Sequence, residues 1–303
     1  MKEQIGKVTM DYTFYSGNDE YSDGDIEQEL LDMVKEDADW NKILKKETRW
    51  PILYHMSPIR ENIIEWYPFE KDARVLEVGA GCGAVTGALC RAARSVTCVD
   101  LSKRRSLINA LRHRQYSNLN IVVGNFNDIE LNQEFDYITL IGVFEYAAYY
   151  TATENPFPDF LRNVGKMLKS GGKILMAIEN KYGLKYWGGV REDHTGKYFE
   201  GLEGYPSGDS HVRTFSKDKL ISIIEEAGFS KMVFYYPFPD YKFPRQIFSD
   251  DYLPKEEDLI CTLNTYDNSR VKLFDETAVY QGLIEEGKFD FFANSFFVEI
   301  RKE

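Results

Sequence analysis

Residues 75–87 of the chain read Val-Leu-Glu-Val-Gly-Ala-Gly-Cys-Gly-Ala-Val-Thr-Gly. An apolar run that contains one acid, Glu77, passes into a loop with glycine at every second position, and a helix-like segment follows over residues 84–93. This order is typical of a buried parallel strand that leads, through a turn where side chains would collide with a ligand, into a helix. The glycines let the backbone approach the ligand, and the helix directs its free N–H groups at it. The stretch therefore predicts a loop that binds a nucleotide-like cofactor.

The glycine loop alone is compatible with more than one nucleotide cofactor. Gly79, Gly81 and Ala84 fit the dinucleotide pattern G-x-G-x-x-G/A, and Asp100 follows about twenty residues downstream, where an acid would bind a ribose hydroxyl. Glu77 does not suit a dinucleotide, because the pyrophosphate would bring further negative charge to this place. The amino group and sulfonium of S-adenosylmethionine would instead be attracted to a carboxylate. A strand that begins about 70 residues into the chain also differs from many dinucleotide domains, which begin at this strand.

Residues 77–83 resemble motif I, E-x-G-x-G-x-G, of the class I S-adenosylmethionine-dependent methyltransferases, and the similarity extends over about residues 70–180. The resemblance implies a Rossmann-like fold, S-adenosylmethionine as the cofactor and transfer of its methyl group. The residues that it places at the cofactor are Glu77, Gly79, Ala80, Gly81, Gly83, Asp100, Leu101, Asn125, Phe126 and Gly142.

Strand-like and helix-like segments alternate through the middle of the chain with short links, which is typical of a doubly wound parallel sheet. The pattern predicts an α/β fold with a seven-stranded, mostly parallel sheet, whose last strand is antiparallel. The predicted strands cover residues 74–78, 95–99, 119–123, 135–141, 173–177, 231–236 and 295–301.

Three strand ends carry the residues expected beside the cofactor. Asp100, followed by Leu101, ends the second strand and is expected to bridge the ribose hydroxyls. Asn125 and Phe126 follow the third strand, where the family places a polar group at the adenine amino group and an apolar side chain against the ring. An Asx turn at Asn125 is an equally good interpretation. Gly142 follows a central strand, where ligands of open α/β sheets gather.

The remaining segments are expected to surround this core, which covers residues 71–236. Residues 1–70 are predicted to form an arm and helices over the cofactor mouth, and residues 178–213 are an insertion with many aromatic and acidic side chains. Residues 237–294 are predicted to be an inserted, partly helical cap for the substrate, and residues 295–303 contain the final strand.

Methyl transfer to a hydroxyl or an amine needs a group that removes a proton. Residues 144–146 read Phe-Glu-Tyr at a place where many small-molecule methyltransferases carry Glu-His, so the family's usual base is missing. We therefore name Glu145, His55 and His194 as catalytic candidates, although a single histidine is more often structural. The side chains expected to contact the substrate are Tyr54, Arg60, Tyr146, Asn180, Tyr182 and His211.

The acceptor is expected to be a small molecule or a sugar or glycan unit that is methylated at oxygen or nitrogen. Residues 179–186 and 235–241 look like stretches of bacterial methyltransferase domains linked to surface-polysaccharide synthesis. Two other functions stay open at this point. One is an NAD(P)-dependent oxidoreductase, and the other is a noncatalytic module that binds the cofactor for a partner enzyme.

The amino-acid composition indicates which kinds of ligand and environment the protein is suited to. The 49 acidic and 37 basic residues give a net charge of −12, which does not favour binding to nucleic acid. Cys82, Cys90, Cys98 and Cys261 show no spacing typical of zinc or of a disulfide framework, so neither a metal nor a disulfide is expected. The longest apolar stretch, residues 137–150, is too short for a membrane span. We expect a cytoplasmic protein, with a homodimer as one possible assembly.

Overall fold

A computed structural model of the protein describes residues 1–19, 24–36, 39–131, 133–260 and 271–303. Cys261 and part of the predicted cap therefore lie outside the described residues. The chain divides into two compact units, of which the first contains Met1–Leu140 and Met167–Lys173, and the second Ile141–Lys166 and Ile174–Glu303. This boundary falls inside the predicted core, and the roles assigned above to the sequence segments stay predictions.

The first unit is built on a mostly parallel sheet with the strand order β1-β2-β5-β4-β3-β6. β1 and β2 form an antiparallel hairpin, whereas β2 and β5, β5 and β4, β4 and β3, and β3 and β6 pair in parallel. The strands are β1 (Lys2–Ile5), β2 (Val8–Phe14), β3 (Arg74–Val78), β4 (Ser95–Asp100), β5 (Leu119–Gly124) and β6 (Phe135–Ile141). The helices are α1 (Asp25–Lys35), α2 (Trp40–Leu44), α3 (Trp50–Met56), α4 (Thr86–Ala92) and α5 (Lys103–Arg112), with 3-10 turns at Pro58–Ile63 and Phe126–Asp128.

The N-terminal helices of this unit form a hydrophobic cluster with helix α5. Leu30 and Leu31 of α1, Ile52 of α3 and Ile108 of α5 are buried together in it. The spacing of apolar side chains at one face of each helix explains this packing, because it gives a continuous apolar stripe. Cys82 of the glycine loop belongs to the same cluster, so the cluster holds α1 and α3 against α5 and the loop.

The second unit contains strands in the order β7-β10-β8-β9. β7 (Leu168–Glu179) begins in the first unit, and β10 (Ser295–Arg301) runs antiparallel to β8 (Lys231–Phe238), which is antiparallel to β9 (Gln246–Ser249). The helices are α6 (Ala147–Tyr150), α7 (Pro156–Lys166), α8 (Leu184–Trp187), α9 (Lys217–Glu226), α10 (Glu276–Glu285) and α11 (Phe289–Phe292), with a 3-10 turn at Phe144–Tyr146.

The predicted fold class is confirmed, whereas the predicted count of seven strands is wrong, because ten strands occur in the described part of the chain. The additional strands are β1, β2 and β9. β1 and β9 have four residues each and lie at an edge, and β2 forms a hairpin with β1. Pairing with a neighbouring strand, rather than the local sequence pattern, decides that such strands form. None of the helices in the described ranges has the length and apolar composition needed to cross a bilayer.

Candidate active site

The glycine loop after β3 has the backbone conformation that its sequence predicts. Gly79, Gly81 and Gly83 have φ angles of 69°, 53° and 78°, in the left-handed region that side chains disfavour. A Cβ atom added at Gly81 would meet only Nη1 of Arg105, at 4.0 Å, among the described residues. The loop therefore presents an open face at Gly81, where a ligand can approach the backbone.

Gly83 has a different reason to be glycine. A Cβ atom there would lie 2.4 Å from Oδ1 of Asn109 and 2.9 Å from Cε1 of His113, both on or just after α5. Gly87 is similar, since its Cβ would lie 3.0 Å from Nε2 of His113. These two glycines allow close packing against the α5 segment. Gly83, predicted from the motif to bind the cofactor, thus has a packing role whether or not it also contacts a ligand.

Asp100, at the end of β4, is tied to the glycine loop by hydrogen bonds. Its Oδ2 accepts from the Gly81 N–H at 2.7 Å and its Oδ1 accepts from the Ser102 N–H at 2.9 Å. Burial raises the pKa of Asp100, although these backbone hydrogen bonds act in the opposite direction. Asp100 and its neighbour Leu101 are half-buried beside the loop. The carboxylate is therefore placed where the motif requires it, and its contact with a ribose stays a prediction.

Glu77 lies beneath the loop with 3% of its surface exposed. Its Oε2 accepts hydrogen bonds from the Thr86 hydroxyl at 2.6 Å and from the Cys98 thiol at 3.1 Å. Burial, partly offset by these two hydrogen bonds, raises the pKa of Glu77 to about 7. A buried carboxylate that titrates near neutrality can be held ionised by a bound cationic group.

The structure favours the alternative interpretation of Asn125. Its side-chain oxygen accepts from the backbone N–H of Asn127 at 3.0 Å, which is the Asx turn considered above. Phe126 is buried at the start of the 3-10 turn. Their predicted contacts with adenine stay predictions.

Three further candidates lie together in the first unit. The Arg60 guanidinium carbon lies 4.4 Å from the centre of the Tyr54 ring, and the His55 ring meets the same ring edge-on at 5.2 Å. Arg60 and His55 are buried, and the His55 carbonyl accepts a hydrogen bond from Arg112. The His55 ring is therefore packed against an aromatic neighbour, which is the structural interpretation of a lone histidine.

The other two catalytic candidates lie together in the second unit. Nε2 of His194 lies 3.6 Å from Oε1 of Glu145, and the His194 ring packs edge-on against Tyr146 with the ring centres 5.3 Å apart. Nδ1 of His194 lies 3.0 Å from Oε1 of Glu192. Glu145, Glu179 and His194 each bring one potential ligand atom to within 4.8 Å of the others. Glu179 and Glu192 were not among the predicted site residues, and only the abundance of acidic residues in the 178–213 insertion pointed to them.

The pKa values within this cluster are strongly shifted. Burial raises the pKa of Glu145, although the neighbouring His194 acts in the opposite direction. Burial would lower the pKa of His194, but the carboxylates of Glu145 and Glu192 outweigh it, so this pKa lies well above the usual range. Burial would raise the pKa of Glu192, but hydrogen bonds from His194 and Thr195 lower it. The positive charge on His194 stabilises its carboxylate neighbours.

The remaining site candidates have other neighbours. The Asn180 side chain donates to the carbonyls of Phe291 and Ala293 at 2.8 and 2.7 Å, so it holds backbone. The Tyr182 ring stacks on the Phe291 ring, with the ring centres 5.4 Å apart. The exposed His211 packs edge-on against the Tyr149 ring. Contact of Tyr182 or His211 with a substrate stays a prediction.

Gly142 also belongs to the second unit. Its φ angle is 69°, and a Cβ atom there would lie 2.8 Å from the hydroxyl oxygen of Tyr241. Close approach of that tyrosine thus explains the glycine, and the predicted contact with the cofactor stays a prediction.

Residues 76–174 match the model of a protein family described as a methyltransferase domain. A ubiquinone biosynthesis O-methyltransferase of Coxiella burnetii is 33% identical over 137 residues, which are 43% of this chain and 53% of that protein. An uncharacterized methyltransferase of Staphylococcus carnosus is 33% identical over 106 residues, 35% of this chain and 46% of that protein. The chain thus spans about half the length of the curated relatives it matches.

Two solved structures have a similar fold. Phosphoethanolamine N-methyltransferase 1 of Haemonchus contortus, in complex with phosphoethanolamine and S-adenosylhomocysteine, matches with a TM-score of 0.50 and 14% identity over 91% of this chain and 49% of that one. A complex between the Trm112 methyltransferase activator and a methyltransferase of Haloferax volcanii gives a TM-score of 0.50 and 15% identity, over 84% of this chain and 92% of that one. At these identities the structures support the fold alone.

The matches agree with the sequence motif and with the geometry of the loop. The matched segment begins inside β3 and contains the glycine loop, Glu77 and Asp100. The family resemblance inferred from the sequence is confirmed, and the predicted cofactor is the one that this family uses. Residues 76–174 thus match a methyltransferase domain, which supports the resemblance of this part of the chain to the class I S-adenosylmethionine-dependent methyltransferases.

Proposed function

We propose that the protein transfers a methyl group from S-adenosylmethionine to an oxygen or nitrogen atom of a small molecule or a sugar or glycan unit. The observation that carries this proposal is the open glycine loop at Gly81, which is hydrogen-bonded to Asp100 and lies above the buried Glu77. The glycan alternative is supported by the resemblance of two sequence stretches, and oxygen as the acceptor atom agrees with the name of one relative.

The residues of the first unit fit the proposed cofactor. Glu77, once ionised, offers a negative charge to the cofactor's amino group and sulfonium. Asp100 has carboxylate oxygens that can accept from ribose hydroxyls as well as from the loop. Arg105, held by Glu27 at 2.6 Å, lies beside the open face of Gly81 and would attract the cofactor's carboxylate. S-Adenosylmethionine, when bound, supplies an electrophilic methyl group, and the chain has to position the acceptor in line with it.

The acceptor must also lose its proton. We assign this task to the cluster of Glu145, Glu179 and His194, in which two buried carboxylates can accept a proton and the histidine lies beside them. His55 stays a separate candidate. A homodimer also stays a prediction, which light scattering of the purified protein would check.

The affinity for S-adenosylhomocysteine is expected to rise about tenfold between pH 6 and pH 8. The pKa of Glu77 is about 7 without ligand, so the carboxyl is mostly protonated at pH 6. S-Adenosylhomocysteine lacks the sulfonium but keeps the ammonium group, which binds the ionised carboxylate better than the protonated one. Binding must therefore release a proton below pH 7. Calorimetric titration at several pH values measures this slope directly.

The matched control for that titration is Glu77→Gln, which keeps the shape and cannot ionise. Its affinity is expected to be weak and independent of pH over the same range. An equal pH dependence in the wild type and in Glu77→Gln would assign the proton to another group.

The proposed function is tested by binding first and turnover second. Purified protein is titrated with S-adenosylhomocysteine and, separately, with NADH, and micromolar binding of the former alone is expected. The protein is then incubated with S-adenosylmethionine and a panel of phenols, amines and nucleotide sugars, and formation of S-adenosylhomocysteine is measured. Binding of NADH alone would overturn the proposal in favour of an oxidoreductase.

A further inference from the structure

The cluster in the second unit has the dimensions of a metal site. One ligand atom from each of Glu145, Glu179 and His194 lies within 4.8 Å of the others. Nitrogen and oxygen ligands at about 2.0–2.2 Å from a metal ion are separated by roughly 3–4.4 Å, depending on the angle between them. The three residues come from a 3-10 turn, from the end of β7 and from the loop beyond α8, so the fold rather than a local motif brings them together.

Two carboxylates of this cluster have oxygen atoms that find no hydrogen-bond partner in the described part of the chain. These atoms are Oε2 of Glu145 and Oε2 of Glu179, and the two residues are 1% and 0% exposed. Nζ of Lys242 lies 2.8 Å from Oε1 of Glu179 without hydrogen-bond geometry, and the same nitrogen is paired with Asp193. Buried carboxylates are costly unless a cation and hydrogen bonds compensate them.

The local balance of charge also favours a cation. Besides His194, the ammonium groups of Lys185 and Lys242 neutralise this region. The carboxylates outnumber these bases; they belong to Glu145, Glu179, Glu192, Asp193 and Asp240. Negative charge therefore remains in a buried place, which is the environment that attracts a divalent ion.

The histidine is oriented as a metal ligand. Oε1 of Glu192 lies 3.0 Å from Nδ1 of His194, and Oε2 of Glu192 accepts the backbone N–H groups of His194 and Thr195 at 2.9 and 2.7 Å. A proton on Nδ1 leaves the lone pair of Nε2 facing Glu145, at 3.6 Å, which is longer than a good hydrogen bond. A carboxylate that fixes a histidine through its other nitrogen is the usual arrangement behind a histidine that binds a metal.

We propose that Glu145, Glu179 and Nε2 of His194 bind a divalent transition-metal ion such as Mn²⁺ or Zn²⁺. One imidazole and two carboxylates suit these ions better than Mg²⁺, which prefers oxygen ligands alone. The remaining coordination positions are available to water or to oxygen atoms of an acceptor. The proposed function gives the ion a role, in lowering the pKa of a coordinated hydroxyl, but binding of the ion does not depend on methyl transfer.

The test is calorimetric titration of chelator-treated protein with MnCl₂ and with ZnCl₂. One ion is expected to bind per chain with micromolar or tighter affinity, and Glu179→Gln and His194→Gln are each expected to weaken it at least tenfold. Glu200→Gln is the matched control, because Glu200 is a buried carboxylate of the same unit that accepts hydrogen bonds from Ser207. This control is expected to bind the ions as the wild type does.

Absence of binding to the wild type at millimolar Mn²⁺ and Zn²⁺ would overturn the metal site, as would equal binding by wild type and both ligand variants. In either case protonated His194, rather than a metal ion, would compensate the buried carboxylates of the cluster. Far-UV circular dichroism shows whether each metal-free variant is folded, and the same samples are titrated with S-adenosylhomocysteine. That titration also tests the cofactor site separately, so a failure of the metal site and a failure of the proposed function give different results.

Discussion

Glu77→Ala and Asp100→Ala are each expected to weaken the binding of S-adenosylhomocysteine at least tenfold, which corresponds to about 1.4 kcal/mol. The Asp100→Ala variant lacks the predicted contact with the ribose and the hydrogen bond that Asp100 accepts from the Gly81 N–H, so the loop becomes less ordered. Glu77 is buried, and its replacement by alanine removes the negative charge that is predicted to attract the cofactor's amino group. Isothermal titration calorimetry at pH 8, where Glu77 is ionised, measures the change.

A control variant separates the cofactor site from general effects on the unit. Asp136 belongs to the same unit and accepts the Arg74 N–H at 2.7 Å, at the opposite ends of their strands from the glycine loop. Asp136→Ala is expected to lower stability and to leave the affinity unchanged. Unchanged affinity in a folded Glu77→Ala/Asp100→Ala double variant would contradict the assignment of this site.

The structure of the cofactor loop could be predicted from the sequence because it depends on residues that are adjacent in the chain. A run of apolar residues predicts the buried strand β3, and glycines that alternate with other residues predict the positive φ angles at Gly79, Gly81 and Gly83. Asp100 follows from the same logic, since the carboxyl ends of neighbouring parallel strands lie at one edge of the sheet.

The sequence was insufficient where contacts between distant segments decide the structure. Nothing in the motif distinguishes Gly81, which is open to a ligand, from Gly83, which packs against Asn109. The cluster around His194 shows the same limit. His194 and Glu145 were candidates by residue type, but the positions of Glu179 and Glu192 depend on how the end of β7 and the following loop fold. Long-range packing of this kind has no periodic pattern in the sequence.

Gly83→Ala is expected to lower the free energy of unfolding by about 4 kcal/mol. Part of this loss, about 1 kcal/mol, is the cost of the left-handed backbone, since φ is 78° at this residue. The larger part comes from the new Cβ, which would lie 2.4 Å from Oδ1 of Asn109. Asn109 is fully buried and donates to the Thr86 hydroxyl at 3.1 Å, and its Oδ1 lies 2.8 Å from Nδ1 of His113. Moving it breaks these buried hydrogen bonds.

Urea denaturation followed by circular dichroism measures the two contributions when Gly171→Ala is the control. Gly171 belongs to the same unit and has a φ angle of 76°, but a Cβ atom there meets no described atom within 4 Å. Its replacement is therefore expected to cost only the backbone part, about 1 kcal/mol. The pKa of His113 is lowered to about 3 by burial and by Arg112, so the imidazole stays neutral between pH 6 and pH 8 and its titration does not contribute to the difference between the variants. Equal decreases in the free energy of unfolding of the two variants would show that the Asn109 side chain can move away from the new Cβ with little loss of stability. Glycine at position 83 would then be required by its backbone conformation or by the ligand rather than by packing.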